Sequence, residues 1–170
     1  RFSTSNGALD TTWVHTANGT VRDLVASPDG SIMYMSGDFT TVDGVARNRV
    51  AAFSTATGAL TSFAPTANAS VYGIAVSSTR VYLGGNFTRL AGVDTARVGA
   101  VTLAGAGVPG FVANADRIVY DLALSPAFDK LYIAGGFITF NGDAAVHGAA
   151  AASAETGATV PPEPIIFMKA

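Results

Sequence analysis

Short apolar runs alternate with turn residues along the chain, and residues 21–64 show this pattern most fully. Apolar and polar residues alternate over 21–27, and Ser27-Pro28-Asp29-Gly30 follows, where Pro sets φ and Gly accepts a positive φ. A second apolar run at 32–35 completes a predicted hairpin. Runs at 49–54 and 60–64, separated by the Thr57-Gly58 turn, predict a third and a fourth strand.

This unit of about 50 residues occurs three times, at residues 21–70, 71–118 and 119–160. The copies can be aligned on the glycine that ends the second strand, which brings like residues to like offsets. The aligned sets are Gly37, Gly85 and Gly135; Tyr34, Tyr82 and Tyr132; Phe39, Phe87 and Phe137; Gly44, Gly92 and Gly142; and Arg49, Arg97 and His147. A repeat of this length is typical of a propeller blade or a solenoid unit.

The repeats predict an all-β chain, a β-propeller segment of about three and a half four-stranded antiparallel blades. Residues 1–20 are assigned to the end of a preceding blade, because Phe2-Ser3-Thr4 resembles Phe53-Ser54-Thr55. Residues 119–160 are assigned to an incomplete blade and residues 161–170 to an irregular tail. Because a propeller closes with about four to eight blades, we expect either a fragment of a longer chain or half of a dimeric ring. Its open ends should be covered by further blades of the same chain, a second copy or other subunits.

One large aromatic residue precedes the first valine of each repeat by eight residues, as Trp13, Phe63 and Phe111. This fixed spacing predicts a ring packed between successive sheets. In the third repeat, Pro161 falls at that position and residues 149–152 are all alanine, so the last blade is predicted to be poorly packed or incomplete.

Composition narrows the classes of function. Hydrophobic residues make up 49% of the chain and charged residues 13%, so the chain can bury a core. A net charge of −2 does not indicate a basic surface, so we predict no nucleic-acid partner. The absence of cysteine excludes disulfides and Cys-ligated zinc. Glycines interrupt the longest uncharged stretch, residues 98–115, so no membrane span is predicted.

Several motifs resemble known propeller repeats. The Ser-Pro-Asp-Gly turn, the Tyr-x-x-Gly segment and the Thr-Gly turn resemble WD-repeat blades, and Gly84-Gly85 and Gly135-Gly136 resemble kelch blades. The WD dipeptide and the Tyr and Trp pair of kelch blades are absent. Residues 83–88 and 51–60 are most similar to the bacterial delta-sixty repeat propellers. That resemblance implies a propeller fold and a secreted or cell-surface setting, and it brings no shared catalytic residue set.

Polar residues concentrate in two sets of loops, those joining second to third strands and those leading into each first strand. In a propeller these loops emerge on one rim, where a rigid fold commonly carries binding residues. The alternative is that exposed loops are polar because they contact solvent. The residues concerned are His15, Asn18, Asp43, Arg47, Asn68, Arg89, Asp94, Asn114, Asp116, Asn141, Asp143 and His147.

Two further positions have a structural and a functional interpretation. An arginine at the position of Arg49 and Arg97 could hydrogen-bond carbonyls of a neighbouring blade or line a site for acidic sugars, and repetition favours the first. Asp23 and Asp121 share a position that is Gly73 in the middle repeat. They could line an acidic channel, although hydrogen bonds to adjacent backbone are favoured.

The chain is therefore interpreted as a non-enzymatic interaction or scaffold module of a secreted or cell-surface bacterial protein that binds glycan or protein. The alternatives are part of a catalytic propeller acting on polysaccharide and a structural subunit of an extracellular assembly. No catalytic set, metal site or cofactor is predicted: Asp38 and Asp43 lack the alternation of a calcium loop. His15 and His147 break the repeat, as a residue of an enzyme site would.

Overall fold

The computed structural model describes residues 5–8 and 14–161, and within these ranges the protein is all-β with antiparallel sheets and no helix. Three three-stranded sheets and two short hairpins make up the fold. Their strands are β1 (Val21–Ala26), β2 (Ile32–Gly37), β3 (Thr41–Val42), β4 (Val45–Ala46), β5 (Val50–Ser54), β6 (Val71–Val76), β7 (Arg80–Gly85), β8 (Arg89–Leu90), β9 (Val93–Asp94), β10 (Val98–Thr102), β11 (Val119–Leu124), β12 (Lys130–Gly135) and β13 (Ala149–Ser153).

Each three-stranded sheet comes from one sequence repeat and has the same strand order. The first sheet is β1-β2-β5, the second β6-β7-β10 and the third β11-β12-β13, with the middle strand of each paired to both others. The register shifts by one residue near the start of β1, β6 and β11, which leaves Arg22, Tyr72 and Tyr120 on equivalent bulges. The repeats predicted from the sequence are thus repeats of structure.

The predicted fourth strand is shorter than the sequence indicates. In place of a strand at 60–64, a single antiparallel bridge joins Phe53 to Leu60, and the equivalent bridges join Val101 to Gly107 and Ala152 to Thr159. Pro109 and Pro161 stand two residues beyond their bridges and have no N–H to extend the pairing. In the first and second repeats, the ring that follows, Phe63 or Phe111, is buried.

The sheets pack face to face through shared apolar cores. Tyr34 and Val50 of the first sheet share a core with Ile74 and Leu83 of the second, and a second core lies between the second and third sheets. Phe63 is 4% exposed and its ring meets Tyr34 edge-on at 5.0 Å. Phe111 is also buried, with its ring 5.6 Å from that of Tyr82. The prediction of rings packed between sheets is confirmed for both; Trp13 lies outside the described residues.

A one-residue insertion corrects the alignment of the third repeat. The carbonyls of Arg49 and Arg97 accept hydrogen bonds from Gly37 and Gly85, and in the third sheet Gly148 accepts the equivalent bond from Gly135. Arg49, Arg97 and Gly148 also share a positive φ of 71°, 67° and 76°. The assignment of His147 to the arginine position was therefore wrong, because the third hairpin loop carries one more residue before its strand.

The described residues form an open stack rather than a closed ring. At one end, Leu24 is 52% exposed, whereas the equivalent Ile74 is covered by the first sheet. At the other end, Tyr132 is 47% exposed, whereas Tyr34 and Tyr82 are covered by the sheet that follows each of them. Within the described ranges, no helical segment has the length and apolarity needed to cross a bilayer.

Candidate functional site

In each repeat, one of the candidate loop residues accepts hydrogen bonds from the backbone of the loop that follows the second strand. Asn18 Oδ1 accepts hydrogen bonds from the N–H groups of Thr40 and Thr41 at 2.8 and 2.9 Å. Asn68 does the same in the second repeat, with the N–H groups of Thr88 and Arg89. We call this contact the loop clamp. It satisfies backbone donors that the short hairpins leave unpaired.

The third loop clamp uses a carboxylate instead of an amide. Asp116 Oδ1 accepts from the N–H groups of Ile138 and Thr139 at 2.8 and 2.9 Å. The hydrogen bond from Thr139 and that from Ile138 lower the pKa of Asp116. The same contact in all three repeats means that Asn18, Asn68 and Asp116 serve the fold.

In the first and third repeats, a second side-chain contact joins the segment before the first strand to the hairpin turn. Asp43 Oδ1 accepts from the Thr16 N–H at 2.8 Å, and Asp43 Oδ2 lies 2.7 Å from His15 Nδ1. Burial acts to raise the pKa of Asp43, but the hydrogen bonds from Thr16 and His15 outweigh it and the pKa is lowered. In the third repeat, Asn141 Oδ1 accepts from the Asn114 N–H at 2.8 Å.

The remaining loop candidates are not brought together into one cluster. Arg47 donates to the carbonyl of Thr61 at 2.6 Å, linking a hairpin to the chain that leaves its sheet. Arg89 and Asp94 form an exposed ion pair of 3.3 Å across the β8-β9 hairpin. Asp143 and His147 lie apart from these, on an open groove along the third sheet.

Arg49 and Arg97 connect successive repeats. Arg49 Nη1 donates to the carbonyl of Ala67 at 2.9 Å, and Arg97 Nη1 donates to that of Ala115 at 3.2 Å. Both acceptors lie in the segment that leads into the next sheet. The structural interpretation of this arginine position is confirmed, and Gly148 leaves the third repeat without the contact.

The loop end of the stack also carries a row of large side chains that the sequence candidates did not include. We define the bulge row as Arg22, Tyr72 and Tyr120. The guanidinium carbon of Arg22 lies 4.4 Å from the centre of the Tyr72 ring, and the Tyr72 and Tyr120 rings meet edge-on at 6.2 Å. Asp38 holds Arg22 in place: Arg22 Nε donates to both carboxylate oxygens of Asp38, and Arg22 Nη2 donates to Asp38 Oδ2 at 2.6 Å. The hydrogen bond from Arg22 lowers the pKa of Asp38.

The bulge row had a sequence signal. Each member directly follows the first valine of its repeat, in Val21-Arg22, Val71-Tyr72 and Val119-Tyr120. Strict alternation would place these side chains on one face of each sheet, and only the bulge directs them to the shared end. Tyr120 ends the row with 56% of its surface exposed.

Comparison with known proteins gives no family. No protein-family model matches the chain, and no curated protein matches its sequence significantly. Among the described residues, no three His, Cys, Asp or Glu side chains are placed to hold a metal ion together. The bulge row is the candidate binding surface because its side chains are ordered by one another and partly exposed.

Proposed function

We propose that this chain is a segment of a β-propeller, similar to the delta-sixty repeat propellers, that serves as a rigid non-enzymatic binding scaffold of a secreted or cell-surface bacterial protein. Each three-stranded sheet with its bridge would be one blade, with β1, β6 and β11 as the innermost strands. The observation that carries the proposal is the bulge row, an ordered line of side chains contributed by three successive repeats at one end of the stack.

The bulge row suits a ligand with both apolar and hydrogen-bonding groups, as a glycan or a protein loop has. Tyrosine offers a flat apolar ring and a hydroxyl, and it loses little conformational entropy on binding. Arg22 and Asp38 fix the row from one side, so the surface is ordered before a ligand arrives.

The test uses Tyr120→Ala, with Tyr132→Ala as the matched control. Both tyrosines are about half exposed, but Tyr132 lies outside the bulge row on the face of the third sheet. The labelled chain would be applied to a glycan array and to intact bacterial cell envelopes. We expect Tyr120→Ala to weaken binding about tenfold and Tyr132→Ala to leave it unchanged. Equal binding by the parent and Tyr120→Ala would contradict the proposal.

One observation favours a structural subunit as the second candidate. The side chains of Asn18, Asn68, Asp116 and Arg49 are engaged with the protein's own backbone. A module whose loops serve only its own architecture would bind nothing on the array or envelopes, and its variants would differ from the parent in stability alone.

A further inference from the structure

The exposed face of the third sheet is the counterpart of two faces that are covered. Tyr132 occupies the register position of Tyr34 and Tyr82, and it lies over an open groove with Asp121, Ala151 and Val160. The equivalent face of the first sheet is covered by the second sheet, and that of the second sheet is covered by the third. A sheet packed on the exposed face of the third sheet would repeat the interface that the protein already forms twice between its own sheets.

The two internal interfaces differ at one position of the first strand. Asp23 Oδ1 accepts from its neighbour Leu24 N–H at 2.8 Å, and Asp23 Oδ2 accepts from the Ile74 N–H of the next sheet at 2.9 Å. Ile74 takes this bond from the preceding sheet because its own neighbour is Gly73, which has no side chain. An aspartate on one sheet thus serves the N–H of a following sheet that carries glycine.

Glycine at 73 is also required by the sheet on its other side. A Cβ on Gly73 would lie 2.9 Å from Asp121 Cα, closer than real Cβ contacts come. A Cβ on Gly84 would lie 2.6 Å from Val119 Cγ1. At this position of the first strand, the three successive sheets therefore carry aspartate, glycine and aspartate.

The third sheet has the features of the first sheet. Asp121 Oδ1 accepts from its neighbour Leu122 N–H at 2.8 Å, as Asp23 Oδ1 does from Leu24. Among the described residues, no group donates a hydrogen bond to Asp121 Oδ2. The equivalent atom of the first sheet, Asp23 Oδ2, accepts from the Ile74 N–H of the next sheet. Ala134 pairs with Asp121 as Ser36 pairs with Asp23 in the first sheet. The residue opposite the aspartate is therefore small in both sheets.

We infer that the exposed face of the third sheet receives a further β-sheet of the same repeat whose first strand carries glycine at the Gly73 position and whose next N–H donates to Asp121 Oδ2. The inference rests on the proposed propeller. A second copy of this chain, docked by its first sheet, does not fit this chemistry. Its Asp23 would place one carboxylate against another, and its Leu24 N–H is already bonded to that Asp23.

The experiment extends the chain past residue 160 with a second copy of residues 62–118, the glycine-bearing repeat. The matched control carries Gly73→Asp in the added copy only. A second control adds residues 12–70 instead, a repeat in which the aspartate is native and no substitution disturbs folding. The readouts are acetylation of Tyr132 by N-acetylimidazole and hydrogen exchange of the added Ile74 amide.

We expect the glycine repeat to slow acetylation of Tyr132 about tenfold or more, and both controls to leave it near the rate of the unextended chain. Asp121→Ala in the glycine extension should speed exchange of the added Ile74 amide. Equal protection by aspartate and glycine repeats would overturn the inference while leaving the stacked blades intact. If no folded added repeat protects Tyr132, the propeller proposal fails as well. Protection of Tyr132 that rises with concentration of the unextended chain would show that a second copy covers the face, and it would also overturn the inference.

Discussion

At the scale of single residues, most polar side chains of the loops complete the hydrogen bonding of their own backbone. A hairpin of two-residue strands such as β3-β4 pairs few of its N–H groups. An amide or carboxylate side chain from the segment before the first strand of the sheet supplies the missing acceptors. This explains why Asn18, Asn68 and Asp116 recur at one position.

The turn after β1 gives a pH dependence that can be measured. Hydrogen bonds from Ser27 Oγ, the Ser31 N–H and Ser31 Oγ lower the pKa of Asp29 to about 2, below the 3.8 of an unperturbed carboxyl. A carboxylate whose pKa is lower in the folded protein stabilises it above the unfolded pKa, and this contribution is lost as pH falls from about 4 to 2.

We therefore expect Asp29→Asn to lower the melting temperature at neutral pH and to lose this difference from the parent near pH 2. Thermal melts of the two proteins between pH 6 and 2 would check this. Asp94→Asn, at an exposed ion pair of the β8-β9 hairpin, is the control. A gap between the Asp29→Asn and parent melting temperatures that stays constant down to pH 2 would contradict the assignment.

At the scale of elements, a single bridge replaces a full fourth strand in each sheet, and in the first two sheets an aromatic ring completes the packing. The chain after β5 forms one bridge at Leu60 and then places Phe63 between the first two sheets. A full fourth strand would have pointed its alternate residues to solvent, whereas this arrangement uses the ring to fill the interface.

Phe63→Ala should cost roughly 3 to 5 kcal/mol of unfolding free energy, because it leaves a cavity beside Tyr34 between two sheets. Phe128→Ala removes the same ring from an exposed turn and should cost less than about 1 kcal/mol. Urea denaturation of the parent and both variants gives the comparison. Similar losses in the two variants would show that Phe63 is not the packing residue described here.

At the scale of the whole molecule, the stack has two open faces of opposite kind. Val21 and Leu24 are exposed on the first sheet, and Tyr132 is exposed on the third. Their equivalents inside the stack meet one another, so each open face has the shape of an internal interface with one side missing. Soluble proteins seldom leave such apolar faces uncovered.

We expect the isolated 170 residues not to behave as a stable monomer. Size-exclusion chromatography with light scattering should show association or aggregation. Replacing Leu24 and Tyr132 by serine, one exposed residue at each end, should reduce the association. A monodisperse parent monomer would contradict this expectation. The irregular tail that the sequence predicts at residues 161–170 lies outside the described residues, apart from Pro161.

The repeats, the three paired strands of each sheet and the burial of Phe63 and Phe111 can all be predicted from the amino-acid sequence. These follow from local alternation, turn residues and fixed spacing, which act within a few residues of one another. The folded structure is needed to see that Gly148, not His147, occupies the arginine position, because the hydrogen-bond register reveals the inserted residue. It also decided that Arg22, Tyr72 and Tyr120 form one row and that Asp23 reaches Ile74, since both depend on how closely successive sheets approach.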